Sequence, residues 1–427
     1  MPIVFALTAV LTLAIIHAQQ STIEYLPDLH WRSIGPPRSG YISAPAGVPG
    51  DPTTYYAGLP EGGVWKTTNG GTTWTPIFDE VRIASVGAVA VAPSDPNTVY
   101  VGTGDLSGWS FTTGKGVYKS IDAGKTWTAS GLARSQYIGA VFVDPKNADN
   151  VLVAAQGPRT GGRGGPPQPV PPDPSTGSGQ APERGVYRSI DGGRTWTRVL
   201  SGDFGASDVE GDYGDPQMVY SLTTDGALHK SADSGATWKR AGVSGLPDGA
   251  RVSAFALASG THGRRLYAFA GAGGRGAGAA AARGLYRSDD GGDSWTLGTN
   301  KLASAGGRLY ADPQHPDVMY AMGTAVYRST DGARSIAAFW GAPSGADPRF
   351  LWIDPTNSRR MMAGVDQGAA ITVDGGASWS PYYGLKNGQF YRVATDFDFR
   401  YHVCGPQQDS GTACVASRSD FGEIRPN

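Results

Sequence analysis

Short apolar stretches alternate with polar turns along most of this 427-residue chain, at the spacing of β-strands. In Gly63–Lys66 and Gly116–Lys119, aromatic and basic residues alternate as in a strand with one buried face. Two apolar stretches precede such a segment, for example Val89–Ala92 and then Val99–Gly102. The pattern therefore predicts repeating units of four strands each, which we name A, B, C and D in chain order.

An eight-residue phrase, S/T-x-D/N-x-G-x-T/S-W, follows strand C and recurs seven times, about every 51 residues. The copies are Thr67–Trp74, Ser120–Trp127, Ser189–Trp196, Ser231–Trp238, Ser288–Trp295, Ser329–Ile336 and Thr372–Trp379. In the sixth copy Ala333 replaces the glycine and Ile336 the tryptophan. A repeat of this length indicates stacked supersecondary units.

The phrase predicts the turn between strands C and D, because an Asp or Asn side chain accepts turn N–H groups and glycine allows positive φ. The tryptophan is expected to pack against the hairpin. The predicted structural acceptors are Asn69, Asp122, Asp191, Asp233, Asp290, Asp331 and Asp374. We expect the carboxylate of the altered sixth copy, Asp331, to contribute less to stability than Asp191.

The phrase is the Asp-box, or BNR repeat, and the chain resembles bacterial sortilin-type and YVTN/BNR-like propeller proteins. That superfamily includes sialidases and xyloglucanase-type glycoside hydrolases. Trp31–Pro36 and Gly388–Ala394 also resemble the bacterial group. The prediction is an all-β, seven-bladed β-propeller of four-stranded antiparallel blades over residues 31–385. Eight blades with an incomplete last one is the alternative, and residues 388–427 are expected to begin a further blade or second propeller, truncated.

Charge and the chain ends narrow the class of protein. With 36 basic and 37 acidic residues and no basic stripe, nucleic acid is not an expected partner. Residues 3–16 are apolar, which predicts a signal peptide over residues 1–18 and a secreted or periplasmic protein without a membrane span; a retained anchor is the alternative. Such a compartment permits a disulfide between Cys404 and Cys414, which is the expected state; two free thiols are the alternative.

Ligand contact is expected on the face opposite the repeated turns, where the B–C and D–A loops emerge. Trp109 and Phe111 lie in the B–C loop of the second blade and could stack on a sugar ring or a peptide side chain, or fold back onto the blades. Asp105 begins that loop and could orient a hydroxyl or an amine. Arg38 could face the central channel. The expected ligand is a glycan or a peptide.

Asp208 and Glu210 belong to an acidic stretch of the fourth blade. In a strand both side chains would point to the same side, as a calcium site or a carboxylate pair for glycoside cleavage would require. The alternative, a solvated loop, is favoured because no regular ligand spacing is met. No cofactor and no metal are otherwise expected.

The sequence lacks the catalytic motifs of the enzymes that it resembles. Sialidases carry an Arg-Ile-Pro phrase that is missing here, and xyloglucanase-type enzymes place an aspartate where this chain has Pro60, before Glu61-Gly62-Gly63. The function expected from the sequence is therefore a binding or scaffold module without enzymatic activity. A glycoside hydrolase-like protein, or an inactive half of one, remains the alternative.

Overall fold

Seven antiparallel sheets follow one another along the chain in the computed structural model. It describes residues 34, 39–105, 113–157, 183–272, 283–301, 307–339, 347–408 and 411–418. Within these residues the chain divides into one unit of residues 39–394 and 404–413 and a second of residue 34, 395–403 and 414–418. The predicted signal peptide lies outside the described residues. The seven sheets belong to the first unit and are numbered here as blades 1 to 7.

Each of blades 1 to 6 has four strands in the order A-B-C-D, and blade 7 has three described strands. Blades 1 and 2 contain β1 Ala44–Gly47, β2 Tyr55–Gly58, β3 Val64–Thr67, β4 Thr75–Pro76, β5 Val86–Ala92, β6 Asp95–Thr103, β7 Val117–Ser120 and β8 Thr128–Ala129. Blades 3 and 4 contain β9 Ile138–Val143, β10 Val151–Ala155, β11 Gly185–Ser189, β12 Thr197–Leu200, β13 Ala206–Gly211, β14 Val219–Thr223, β15 Leu228–Ser231 and β16 Lys239–Arg240.

Blades 5 to 7 complete the series. They contain β17 Ala250–Leu257, β18 Leu266–Ala272, β19 Gly284–Ser288, β20 Thr296–Thr299, β21 Leu309–Ala311, β22 Met319–Met322, β23 Val326–Ser329, β24 Ala337–Ala338, β25 Pro348–Ile353, β26 Met361–Val365 and β27 Gly368–Thr372. Two short 3₁₀ turns, Asp79–Val81 and Tyr382–Gly384, are the helical elements of the described chain. The second follows β27 in blade 7, which has no described strand D.

Blade 7 packs against blade 1, so the series of sheets closes on itself. One buried apolar cluster contains Ile42 and Tyr55 of blade 1 together with Met362 and Ile371 of blade 7. The Ile42 N–H also donates to the Val365 carbonyl across the same seam, at 3.3 Å. Closure buries apolar faces of blades 1 and 7 that an open array would leave exposed. The fold is a β-propeller, as the sequence predicted.

A buried ion pair stabilises the contact between blades 7 and 1, which we call the seam of the ring. Asp354 and Arg360 pair in blade 7 with side chains 0% and 5% exposed. Arg360 Nη2 donates to the Val48 carbonyl of blade 1 at 3.0 Å, and the Gly50 N–H of blade 1 donates to Asp354 Oδ2 at 3.3 Å. Both charges of the pair thus bond across the seam.

The seven repeated phrases form turns between strands C and D. In blade 3, Asp191 Oδ1 accepts the Thr195 N–H at 2.9 Å and Oδ2 accepts the Thr195 hydroxyl at 2.6 Å. The altered sixth copy keeps the same arrangement, because Asp331 accepts the N–H and hydroxyl of Ser335 at 2.9 and 2.6 Å. The hydrogen bonds therefore give no basis for the expectation that Asp331 contributes less.

The repeated tryptophans do more than pack against their own hairpin. Trp127 of blade 2 donates its indole N–H to the Ile77 carbonyl of blade 1 at 2.7 Å, and Trp295 of blade 5 donates to Gly242, which follows blade 4, at 3.0 Å. Trp238, in contrast, donates to Gly235 of its own turn. Several of the repeated indoles therefore bond one blade to the preceding one.

The described residues after blade 7 form a three-stranded sheet of β28 Ala394–Thr395, β29 His402–Gln407 and β30 Gly411–Ala416. Neither Cys404 nor Cys414 is a free thiol in the structure. Among the residues that the structure describes, no helix has the length and apolar character of a membrane span.

Candidate functional site

The A strands of different blades bring five side chains together along the central channel, from the start of strand A in blades 1 and 6 to Glu210 near the end of β13. We call this group the axial site: Tyr41, Asp208, Glu210, Arg308 and Phe350. In the four-stranded order A-B-C-D, the A–B and C–D connections share one face and the start of A lies on the other. Tyr41 and Arg308 directly precede β1 and β21, whereas the other three lie within β13 and β25.

The contacts of the axial site run across the ring. Arg308 of blade 6 lies 3.5 Å from Asp208 of blade 4, Nη1 to Oδ2, with side chains 28% and 19% exposed. The guanidinium also lies over the Phe350 ring of blade 7, 4.8 Å from its centroid. Phe350 meets Tyr41 of blade 1 edge-on, with centroids 6.1 Å apart. Charged and aromatic groups from four blades therefore form one surface.

Glu210 is the carboxylate of the axial site that forms no ion pair among the described residues, although the charge of Arg308 acts on it. Its Oε2 accepts the Leu257 N–H of blade 5 at 2.8 Å. Burial, and then the negative charge of Asp208, raise the pKa of Glu210 well above its ordinary value of 4.5. Burial also raises the pKa of Asp208, although Arg308 opposes the shift. Glu210 is therefore prepared to accept a positive charge or to hold a proton.

A second group of charges adjoins the axial site in blade 7. Arg349 Nε donates to Asp366 at 2.9 Å, and its Nη2 lies 3.3 Å from Asp347. The guanidinium lies 5.7 Å from the centroid of the Tyr41 ring. Burial, followed by the charge of Asp105, raises the pKa of Tyr41, so its hydroxyl stays protonated.

The structure changes the interpretation of several residues singled out in the sequence. Asp105 is 1% exposed and its N–H donates to Ser85 Oγ at 2.9 Å, so it is buried rather than displayed in an exposed loop. The solvated-loop interpretation of Asp208 and Glu210 is wrong, because both lie within β13. Arg38, Trp109 and Phe111 lie outside the described residues.

The blade 1 loop that was compared with hydrolases lines a cavity of ≈ 330 Å³, which Tyr41 of the axial site also lines. The lining includes Pro60, Glu61, Trp65 and Phe390. Glu61 is exposed, and no carboxylate occupies the position of Pro60. This loop therefore supplies one exposed carboxylate and not a pair.

Sequence reasoning missed Arg308, Phe350 and Tyr41. The available signal was their position at the start of strand A in blades 6, 7 and 1. It also missed the one group of three acidic or histidine side chains in the described chain that converges within 4.8 Å, namely Asp396, Asp398 and His402. Asp396 already bonds to the His402 N–H and ring, at 2.8 and 2.7 Å.

No protein-family model and no curated protein matches the sequence. Solved structures do match. The GH74 xyloglucanase from Xanthomonas campestris is 18% identical with a TM-score of 0.61, over 90% of this chain and 60% of that one. The GH74 enzyme from Niastella koreensis is 17% identical with a TM-score of 0.63, over 92% and 61%. This chain thus spans about three-fifths of these enzymes.

A smaller propeller matches over almost its whole length. The structure of YCF48 bound to D1 peptide is 12% identical with a TM-score of 0.52, covering 81% of this chain and 98% of that one. At these identities the likeness shows the fold alone. The chain is a β-propeller with the fold of GH74 hydrolases and of YCF48.

Proposed function

We propose that this protein is a binding module that takes a peptide segment on the face opposite the Asp-box turns, with a basic side chain of the ligand extending into the central channel toward Glu210. The single observation that carries the proposal is the half-buried carboxylate of Glu210, which forms no ion pair with a described residue and accepts the Leu257 N–H. The finer assignment, a secreted Asp-box propeller of the sortilin-type or YVTN/BNR group, is part of the same proposal.

The electrostatics favour a cation as the group recognised. Asp208 forms an ion pair with Arg308, whereas Glu210 forms none with a described residue and accepts the Leu257 N–H. A lysine ammonium or arginine guanidinium beside Glu210 would stabilise the ionised carboxylate and form a charge-assisted hydrogen bond. The arrangement is rigid, because each member lies in or directly beside a propeller strand.

A peptide is proposed over a glycan on two grounds. The axial site combines a carboxylate acceptor with an occupied guanidinium, a pattern that suits a chain with a basic side chain and backbone amides. YCF48, which has the same fold, was solved with D1 peptide bound. As only a few groups are involved, we expect affinity in the micromolar to millimolar range.

A pair of matched peptides tests the proposal. From a peptide array, the best-binding lysine peptide is compared by calorimetry with its norleucine counterpart. Glu210→Gln is expected to weaken the lysine peptide at least tenfold and leave the norleucine peptide unchanged. Glu61→Gln, at an exposed carboxylate of blade 1, is the control. Equal binding of the two peptides to wild type would contradict the proposal.

The same experiment tests whether Trp109 and Phe111, the loop aromatics singled out in the sequence, contact the ligand. If ligand contact runs through the loop, Trp109→Ala abolishes binding while the melting temperature stays nearly unchanged. If binding survives the combined Trp109→Ala and Phe111→Ala variant but is lost in Glu210→Gln, the ligand is held at the axial site without these rings.

A glycoside hydrolase is the second candidate, and one observation favours it. Asp208 and Glu210 lie two residues apart on β13, and the raised pKa of Glu210 is the property that a general acid needs. We expect no turnover of xyloglucan or a sialoside. Turnover that disappears in both Asp208→Asn and Glu210→Gln would establish the hydrolase instead.

Export to an oxidising compartment is part of the proposal. It predicts that Cys404 and Cys414 are joined in the exported protein and that residues 1–18 are removed. Mass spectrometry of secreted or periplasmic material checks both points. Alkylation of both thiols without prior reduction, or an intact amino terminus, would contradict them.

A further inference from the structure

A second cavity, of ≈ 530 Å³, lies between blades 4 and 5 on the face opposite the repeated turns. We call it the blade 4–5 pocket. The ends of β14 and β18 and the start of β17 form its walls, and its lining includes none of the five axial-site residues. Its volume falls in the range of pockets that hold small ligands.

Two arginines contribute the charge of the pocket. Arg251 and Arg283 both line it and both are exposed, and no Asp or Glu is among the described residues that line it. Arg251 donates one Nη2 bond to the Thr224 carbonyl at 3.1 Å, which fixes the side chain and leaves its other donors for a ligand. Arg283 makes no hydrogen bond or ion pair with any described residue. The pocket is therefore net positive and suits an anion.

The remaining wall offers acceptors. Ser253 donates its hydroxyl proton to the Phe269 carbonyl at 3.2 Å, and Ser207 donates to the Leu222 carbonyl at 3.1 Å. With their protons used, both oxygens present lone pairs to the cavity. A ligand that satisfies this wall must bring O–H or N–H donors.

Gln156 adds an unsatisfied group at the blade 3 side of the same cavity. Its Oε1 is buried with no hydrogen-bond partner. Buried polar atoms nearly always have a partner, so this amide needs one from outside the described chain. Because the two ends of the amide can exchange places, it can meet either a hydroxyl or an anion.

We propose that the blade 4–5 pocket binds an acidic saccharide, with the carboxylate of a uronic acid between Arg251 and Arg283 and sugar hydroxyls on the serine wall. Arginine pairs with a carboxylate through two parallel N–H···O bonds, which fixes its orientation. A plain inorganic anion would satisfy the arginines and leave Ser207, Ser253 and Gln156 without donors. The proposal is independent of peptide binding at the axial site.

The test uses trigalacturonic acid, its methyl ester as the uncharged match, and inorganic phosphate, each titrated into the whole chain by calorimetry. We expect the acid to bind at least tenfold more tightly than the ester. Arg283→Gln should weaken the acid at least tenfold, and Arg359→Gln, an exposed arginine of blade 7, should not. Ser253→Ala should weaken the acid several-fold and leave phosphate unchanged.

Each opposite result overturns the proposal. Equal binding of acid and ester removes the role of the arginines, and equal losses in Arg283→Gln and Arg359→Gln reduce the effect to net charge. Phosphate that binds as tightly as the acid shows a general anion site only. No binding at millimolar acid rejects the site, provided that the melting temperature shows a folded protein. Glu210→Gln leaves acid binding unchanged, so the two proposals fail separately.

Discussion

The ion pair at the seam of the ring is the most direct place to perturb closure. Arg360→Ala removes a guanidinium that is 5% exposed and leaves Asp354, 0% exposed, as a buried carboxylate without its counter-ion. The substitution also deletes the 3.0 Å bond from Arg360 to the Val48 carbonyl, which joins blade 7 to blade 1. Asp354 keeps three bonds, from the N–H and hydroxyl of Thr356 and the N–H of Gly50.

The magnitude follows from the burial of both partners. Breaking a buried ion pair by removing one partner costs about 3–5 kcal/mol, because the remaining charge stays desolvated. At about 1.4 kcal/mol for each factor of ten, the ratio of folded to unfolded protein falls by two to four powers of ten. The double variant Arg360→Ala with Asp354→Ala should lose less than the sum of the two single variants, since it leaves no unpaired charge.

Urea melts followed by tryptophan fluorescence measure the free energy of unfolding, and hydrogen exchange locates the change. Arg360→Ala should speed exchange at the seam amides of Ile42 and Gly50 more than at Val219 in blade 4. Asp203→Ala breaks the exposed pair with Arg184 and should leave the midpoint unchanged. The reasoning is refuted if Arg360→Ala shifts the midpoint no more than Asp203→Ala, or if the two seam substitutions are additive.

Two further predictions concern carboxylates. Glu210 has a folded-state pKa raised above 4.5, so between 4.5 and that pKa the folded protein holds a proton that the unfolded chain releases, and stability falls as pH rises. Glu210→Gln should therefore raise the melting temperature at pH 8 and change it little at pH 4; a difference that is constant with pH would contradict this. Asp233→Ala and Asp331→Ala should lower the urea midpoint equally, since each carboxylate accepts the same bonds and has its pKa lowered to about 2 by them. A clearly smaller loss for Asp331 would restore the interpretation from the altered repeat. The Asp331 and Asp233 contributions should both vanish as the pH falls below 3.8 towards 2.

Strand order and turn chemistry were readable from the sequence because they depend on neighbours within a few residues. Asp191 reaches an N–H four residues on, and Gly193 takes a φ of 83° in the same turn. Such contacts repeat wherever the phrase repeats, including at Asp331. The apolar stretches before each strand C, such as Val89–Ala92 and Val99–Gly102, likewise predicted strands A and B.

The sequence revealed only part of the axial site. The sequence showed Asp208 and Glu210 side by side, but it gave no sign that Arg308, 100 residues later, faces Asp208. That contact exists because closure of the ring turns the A strands of blades 4 and 6 toward one channel. The blade 4–5 pocket was missed for the same reason, since Arg251 and Arg283 of blade 5 line one cavity with Ser207 and Thr223 of blade 4 only when the two blades pack side by side.

The sequence by itself therefore determined the repeating unit: four short strands, an Asp-box turn and a tryptophan, repeated along the chain. Local hydrogen bonds and side-chain periodicity specify such a unit without reference to the rest of the molecule. Only the tertiary structure decided how the ring closes, that Asp354 and Arg360 hold blade 7 to blade 1, and which charges share the channel. Those pairings depend on distances between segments far apart in sequence, and packing of whole blades sets them.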